Sequence, residues 1–224
     1  LDVVFGYSGQ PLVHYRGTGA GFEATEIPMT DGRGPLSMAD LDGDGDLDLI
    51  STGGAPHWLV NQGGRFESVF IPTGSLVPIV DAAPADFDGD GRIDLFTASA
   101  GPHGPDPMER IDAVLWAAGS SDRSLDTLPL PDAGGLAFDA VALDIDADTD
   151  VDVYTVNDFG PEFGGNVLWD NEGGALSPVG EDCACDLAIS GMGVDAADID
   201  GDRLPELLIA STGSNHLLQQ RGDG

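Results

Sequence analysis

In "DLDGDGDLDLI", residues 40–50, an aspartate stands at every second place from Asp40 to Asp48. Carboxylates at that spacing suit a hard cation. Ca²⁺ takes about six to eight oxygen ligands at roughly 2.3–2.6 Å, and one tight loop can supply most of them. In a D-x-D-x-D-G-x-x-D run, loop positions 1, 3, 5 and 9 offer carboxylates and position 7 offers its carbonyl. Glycine at position 6 permits the positive φ that such a turn needs. A helix–loop–helix calcium site would close on a bidentate Glu at about position 12. Here position 12 is Ser51, and in the later copies Thr97, Thr155 and Ile209. The ligand set must therefore close at position 9, where an apolar, β-prone run begins. The spacing predicts a calcium-binding β-hairpin loop.

The knot occurs four times. The first copy offers Asp40, Asp42, Asp44, Asp46 and Asp48. The second offers Asp86, Asp88, Asp90, Arg92 and Asp94, and the third Asp144, Asp146, Asp148, Asp150 and Asp152. The fourth offers Asp198, Asp200, Asp202, Leu204 and Glu206. In each set the fourth-named residue sits at position 7 and contributes a backbone carbonyl. The first two copies keep the glycine, Gly45 and Gly91. Thr149 replaces it in the third, which strains the turn for a β-branched residue. In the fourth, Arg203 replaces the glycine and Glu206 the last aspartate. The expectation is two to four Ca²⁺ ions, with the first two loops best equipped.

The elements around each knot repeat as well. First aspartates are 46, 58 and 54 residues apart. A short apolar segment precedes each knot ("PLSMA", "DAAPA", "DAVAL", "GVDAA") and a β-rich run follows it. A turn and another run come next, as in "HWLVNQGGRF" and "NVLWDNEGGAL". A last segment such as "FESVFIP" closes the unit. These runs are short, rich in β-formers and divided by Gly and Pro, so they read as strands. Four strands in about 40–50 residues is the pattern of a β-propeller blade. The expected fold is all-β, with four-stranded antiparallel blades and almost no helix. The chain start matches the stretch after a knot, with Asp2 where Asp48 stands. That gives a partial blade at 1–30, blades at about 35–80, 81–131 and 137–180, and a partial blade at 192–224. The first would lack its innermost strand and the last its fourth, so an arc is expected in place of a self-closed five-bladed ring.

These residues resemble the FG-GAP/VCBS repeat family, the calcium-binding propeller repeats also found in integrin α-chain heads. The stretch "GMGVDAADIDGDRLPELLIASTGSNHLLQQRGDG" is most similar to the bacterial and cartilage-acidic-protein branch. The resemblance implies a seven- or eight-bladed ring, secretion or surface display, and a binding role.

Composition bounds the function classes. The net charge is −32, all eight basic residues are Arg, and most of the 40 acids are Asp gathered in the knots. Clustering of that kind fits cation binding better than a solvated halophile surface. Nucleic acid is a poor partner for such a field, and no run is long and apolar enough for a membrane span. No signal peptide is visible at Leu1. Sequence signatures of zinc, serine-nucleophile or Asp-box enzymes are not found, and His14, His57, His103 and His216 are dispersed. The expectation is a non-enzymatic extracellular recognition, adhesion or scaffold module for protein or glycan. The alternatives are a structural subunit assembling with further blades or subunits, and a secreted enzyme on a propeller scaffold. Two neighbouring units carry long connections between their second and third strands, 98–112 and 156–166, and such insertions often build a binding surface. Cys183 and Cys185 could be free thiols, a small disulfide or metal ligands. "RGD" at 221–223 aligns with ordinary turns of the repeat, "QGG" and "EGG".

Overall fold

In a computed structural model, residues 2–6, 10–27, 34–52, 56–71, 79–100, 112–117, 125–131, 135–179 and 183–219 are described. They form five antiparallel sheets. The first holds β1 (Val3–Phe5), β2 (Leu12–Gly17) and β3 (Phe22–Ile27). The second holds β4 (Leu36–Ala39), β5 (Asp48–Ser51), β6 (His57–Asn61) and β7 (Phe66–Phe70). The third holds β8 (Ile79–Ala85), β9 (Asp94–Ser99), β10 (Ala113–Ala117) and β11 (Leu125–Pro129). The fourth holds β12 (Leu136–Leu143), β13 (Asp152–Asp158), β14 (Val167–Asn171) and β15 (Leu176–Pro178). The fifth holds β16 (Gly191–Ala197), β17 (Glu206–Ser211) and β18 (His216–Leu218). Strands neighbour one another in chain order within every sheet, so each sheet is a meander. One helix of four residues, α1 (Gly160–Phe163), interrupts the β13–β14 connection. The fold is an all-β propeller arrangement of blades, as the repeat predicts.

The core lies between blades and not within any one of them. Four apolar clusters fill the four successive blade interfaces. Leu12, Ile27, Leu49 and Leu59 join the first and second sheets. Ile50, Trp58, Ile79 and Leu95 belong to the next cluster. Phe96, Val114, Val153 and Trp169 form the third, and Tyr154, Val156, Leu207 and Ile209 the fourth. A blade flanked on both sides buries both its faces, so its second strand reads as a continuous apolar run and not as an alternation. β5 and β9 are accordingly buried at every residue. β17 has a neighbour on one side, and there Leu208 is 52% exposed while Leu207 and Ile209 on either side are buried.

Inner strands meet in the order β4, β8, β12, β16. A register shift falls at the same place in three of them: at Ile79/Asp81, Ala137/Asp139 and Gly191/Gly193. Such a bulge re-aims a side chain. Here it turns Asp81 and Asp139 toward the next blade. Asp81 Oδ2 accepts the amide of Ala140 (3.1 Å), and Asp139 Oδ2 accepts that of Val194 (2.8 Å). On the β4 side, the Ser37 hydroxyl donates to the Ala82 carbonyl (2.6 Å).

The β13–β14 connection is fastened from below. The Asn157 amide donates to Asn166 Oδ1, the Asn166 amide group to the Tyr154 hydroxyl, and that hydroxyl to the Cys185 carbonyl. Backbone bonds run from Asn166 N to Leu187 O and from Gly160 N to Ile189 O. Gly160 and Gly165 lie so close to the 186–189 backbone that a Cβ on either would come within about 2.4–2.5 Å of a carbonyl oxygen. Cys183 and Cys185 are joined as a disulfide, with Cα atoms 5.1 Å apart. His57 and His216 open the equivalent strands β6 and β18, as their alignment predicts. His103, most of the 98–112 insertion and the RGD stretch lie outside the described residues.

Candidate metal centres

All four acidic loops share one hydrogen-bonded skeleton. The carboxylate at position 1 caps the turn. Asp40 accepts the amides of Asp44 (3.0 Å) and Gly45 (2.9 Å), and Asp86 those of Asp90 and Gly91. Asp144 accepts Thr149 N, and Asp198 accepts Gly201 N and Arg203 N. Position 5 accepts the amide two residues on, as Asp44 does from Asp46, Asp90 from Arg92, Asp148 from Asp150 and Asp202 from Leu204.

Position 9 is the hub. Asp48, Asp94, Asp152 and Glu206 are all buried at the first residue of a second strand. Each accepts the amide of the residue after position 1: Leu41, Phe87, Ile145 or Ile199. Asp48 also accepts the Trp58 indole N–H (2.8 Å) and the Asn61 amide (2.7 Å), which ties the loop to the third strand of its blade. Asp152 accepts the Asn171 amide in the same way. Asp2 matches them at the chain start, accepting Gly17 N at 3.0 Å beside His14. Burial raises the Asp48 carboxyl above its ordinary range, and pushes that of Asp152 up to about 6. Desolvation disfavours the charged form, and a nearby cation would reverse that preference.

Glycine at position 6 has φ of +91° in Gly45 and +85° in Gly91, as the loop spacing requires. Thr149 (+86°) and Arg203 (+81°) adopt the same conformation without being glycine. Position 4 is also left-handed in every copy: Gly43, Gly89, Ala147 and Gly201. The glycine that three of the copies carry there was its signal in the sequence, although the D-x-D-x-D-G spacing leaves position 4 open.

Three acids converge in each loop with ligand oxygens within 4.8 Å of one another. They are Asp40, Asp42 and Asp44; Asp86, Asp88 and Asp90; Asp144, Asp146 and Asp152; and Asp198, Asp200 and Glu206. Asp48 and Asp94 stand outside the first two groups, and Asp148 and Asp202 outside the last two. Position 7 faces elsewhere. The Asp46 and Asp150 side chains accept the amides of Gly63 and Gly173, in the turn between the third and fourth strands. Arg92 pairs with Asp90 through its guanidinium, which holds that exposed carboxyl below its usual range. In the fourth loop Gln219 donates to Asp200 Oδ2 (2.6 Å). The donor sets fit a hard divalent cation: all oxygen, mostly charged and mutually close. One observation beyond proximity supports the fit. Asp144 Oδ1 is sealed from solvent and has no hydrogen-bond partner, an expensive state unless something positive meets it. A cation held there would act as a cross-link, neutralising carboxylates that otherwise repel.

Two asparagines at the end of the third strand escaped the sequence reading. Asn61 donates to Leu47 O and accepts Gly64 N. Asn171 donates to Val151 O and to Phe87 O of the neighbouring blade's loop. The recurring asparagine before "QGG" and "EGG" was the available signal.

The FG-GAP-like repeat family matches residues 1–51, 40–97 and 144–209, and the chain belongs to that family. A comparison with curated proteins finds no match. Among solved structures, an Agrocybe aegerita lectin described as recognising non-reducing terminal N-acetylglucosamine is similar in fold. Its TM-score is 0.57 at 15% identity, over 100% of this chain and 60% of the lectin. The chain therefore spans about three fifths of that protein. The V. cholerae biofilm matrix protein Bap1 aligns at 19% identity over 93% of this chain and 34% of its own, with a TM-score of 0.48.

Removing the Asp48 carboxylate strands three donors, the buried Trp58 indole N–H among them. Asp48→Ala should destabilise the protein by about 3–5 kcal/mol, given about 1–3 kcal/mol per stranded donor. Denaturant unfolding of variant and parent in the same calcium buffer measures it. A loss under about 1 kcal/mol would show that the carboxylate is not the hub.

Proposed function

We propose that the chain is a calcium-stapled recognition module acting outside the cell, and that its ligand is a glycan or protein bound on the face that carries the long connections. The observation that carries this reading is the anchored β13–β14 connection. Buried hydrogen bonds and two close glycine contacts hold it, yet its tip presents Phe159 and Phe163 at 44% and 39% exposure. The rings stand edge to face, 6.3 Å apart. Phe159 has φ of +51°, where a bulky residue is strained. Strain held in place by surrounding structure is a mark of functional sites. Asp158 and Glu162 border the rings with hydrogen-bond acceptors. Aromatic faces beside carboxylates suit a sugar, whose C–H face stacks while its hydroxyls donate. The lectin of similar fold supports the glycan side of the reading. Family membership supports a recognition or adhesion role. Among the described residues no helix is long and apolar enough to cross a membrane. A structural subunit is the second reading, favoured by Leu208, Leu217 and Ile199, each more than half exposed on or beside the fifth blade.

A glycan array probed with the parent and with the Phe159→Ala/Phe163→Ala double variant should show binding by the parent and at least a tenfold loss in the variant, about 1.4 kcal/mol. Equal binding by both would move the contact elsewhere. Melting in excess EDTA should fall well below melting in millimolar calcium, with magnesium failing to restore it, because Mg²⁺ demands a tighter octahedral shell. Superimposable melts would end the staple reading. Sedimentation velocity should give a monomer for a recognition module, whereas self-association through the apolar faces would favour the subunit reading.

A further inference from the structure

Asp81 and Asp139 belong to no acidic loop and to no apolar cluster. They occupy the same place in successive inner strands, each at the bulge, and their carboxyl groups meet across the boundary between the third and fourth blades at one amide, Ala140 N, which donates to both. Asp81 is 5% exposed. The pair lines an open cavity of about 360 Å³ walled by β4, β8 and β12. Two ionised carboxylates gathered on one amide are acceptors only, so a proton is the one donor that could join them directly. The backbone amides do not replace that proton. Ala140 N is shared by Asp81 Oδ2 (3.1 Å) and Asp139 Oδ1 (3.0 Å), and Val194 N serves Asp139 Oδ2.

Among the described residues the surroundings offer no counter-charge. β4 carries Leu36, Ser37, Met38 and Ala39, with no titratable group. Opposite Asp81 on β9 is Ala98, and opposite Asp139 on β13 is Val156. On β12 the only titratable residue is Asp139 itself, and on β16 it is Asp195, which is exposed. The places equivalent to Asp81 in the second and fifth sheets are Pro35 and Gly193, so the arrangement occurs at one blade boundary.

We propose that the Asp81–Asp139 pair is a proton-held latch between the two blades whose connections form the candidate recognition face. The placement gives it that role. Asp81 pairs with Ala98 one residue before the end of β9, and Asp139 with Val156 two residues before the end of β13. The long connections leave from those two ends. With one proton the pair draws the inner strands together. Without it, buried Asp81 and half-buried Asp139 repel as anions across the boundary and loosen the seating of the β13–β14 connection.

Burial first, and the neighbouring Asp139 second, push the Asp81 carboxyl up to about 7. A group whose folded pKa is raised holds a proton that the unfolded chain releases. Its stabilising effect is therefore largest at low pH and drains away as pH rises from the ordinary carboxylate range to about 7. The consequence for ligand binding rests on the recognition reading; the latch itself does not.

The test is a series of thermal melts from about pH 5 to about pH 8.5 in saturating calcium, on the whole chain. The parent's Tm should fall as pH rises from about 5 to about 7 and level off above that. Asp81→Asn can accept from Ala140 N and donate to Asp139 with no proton to lose, so its melts should lack that decline and lie at or above the parent's at high pH. Asp139→Asn should show a smaller decline, because the burial of Asp81 remains while the neighbouring charge is gone. A parent-like decline in both variants would overturn the latch. Carboxyl carbon NMR of the parent in saturating calcium provides a reading that needs no variant to fold. An aspartate other than Asp152 titrating near neutrality supports the latch, and the lack of one refutes it. A glycan array that is blank for the parent would sink the glycan reading and leave these titrations standing.

Discussion

Each of the four blades with an acidic loop hangs on a carboxylate buried where its second strand begins. Asp48 holds the loop behind it, the indole of Trp58 and the end of the third strand at one point. An ion lodged in the loop would reach the β-sheet only through such contacts. Cation site and blade are thus one hydrogen-bonded unit, and the charge that would repel in an isolated loop is largely spent on backbone donors. The same logic explains why Glu206 can stand where the other copies have aspartate. Its longer arm still reaches Ile199 N, at 2.7 Å.

The blades were legible in the sequence because a fixed period organises them, and the strands fall where Gly and Pro divide the β-prone runs. The loops were legible because carboxylates crowded at alternate places repel unless a cation or a set of backbone amides gathers them. Asp81 and Asp139 were harder to see. In "PIVDAAPAD" and "AFDAVALD" each looks like one polar residue in an apolar strand. Their meaning depends on a bulge and on a partner 58 residues away, and pattern reading along one strand detects neither. Anchoring of the β13–β14 connection was hidden for a related reason. Asn157, Tyr154 and Asn166 act through the Cys185 carbonyl on the next linker, and such a network has no period. A long connection could be found from its length alone, but its rigidity could not.

Two sorts of carboxylate coexist in a chain of net charge −32. Those in the loops sit at the rim of the blades, near water and near backbone amides, where a divalent cation can join them. Those on the inner strands face no basic side chain among the described residues, and there a proton can join them. The separation follows from topology. A hairpin loop projects beyond the sheet, whereas a bulge on an inner strand turns its side chain toward the neighbouring blade.

The irregular loops show how firmly this skeleton is imposed. Thr149 and Arg203 adopt the left-handed conformation that Gly45 and Gly91 reach freely, at a cost of about 1–3 kcal/mol each. Both keep the bond that the conformation serves, donating their amides to Asp144 and Asp198. A charge-assisted hydrogen bond is worth about 1.5–3 kcal/mol, enough to offset the strain. The turn survives the loss of its glycine because an acid at position 1 still demands that amide. Glycine eases the loop's shape, while the aspartate determines it.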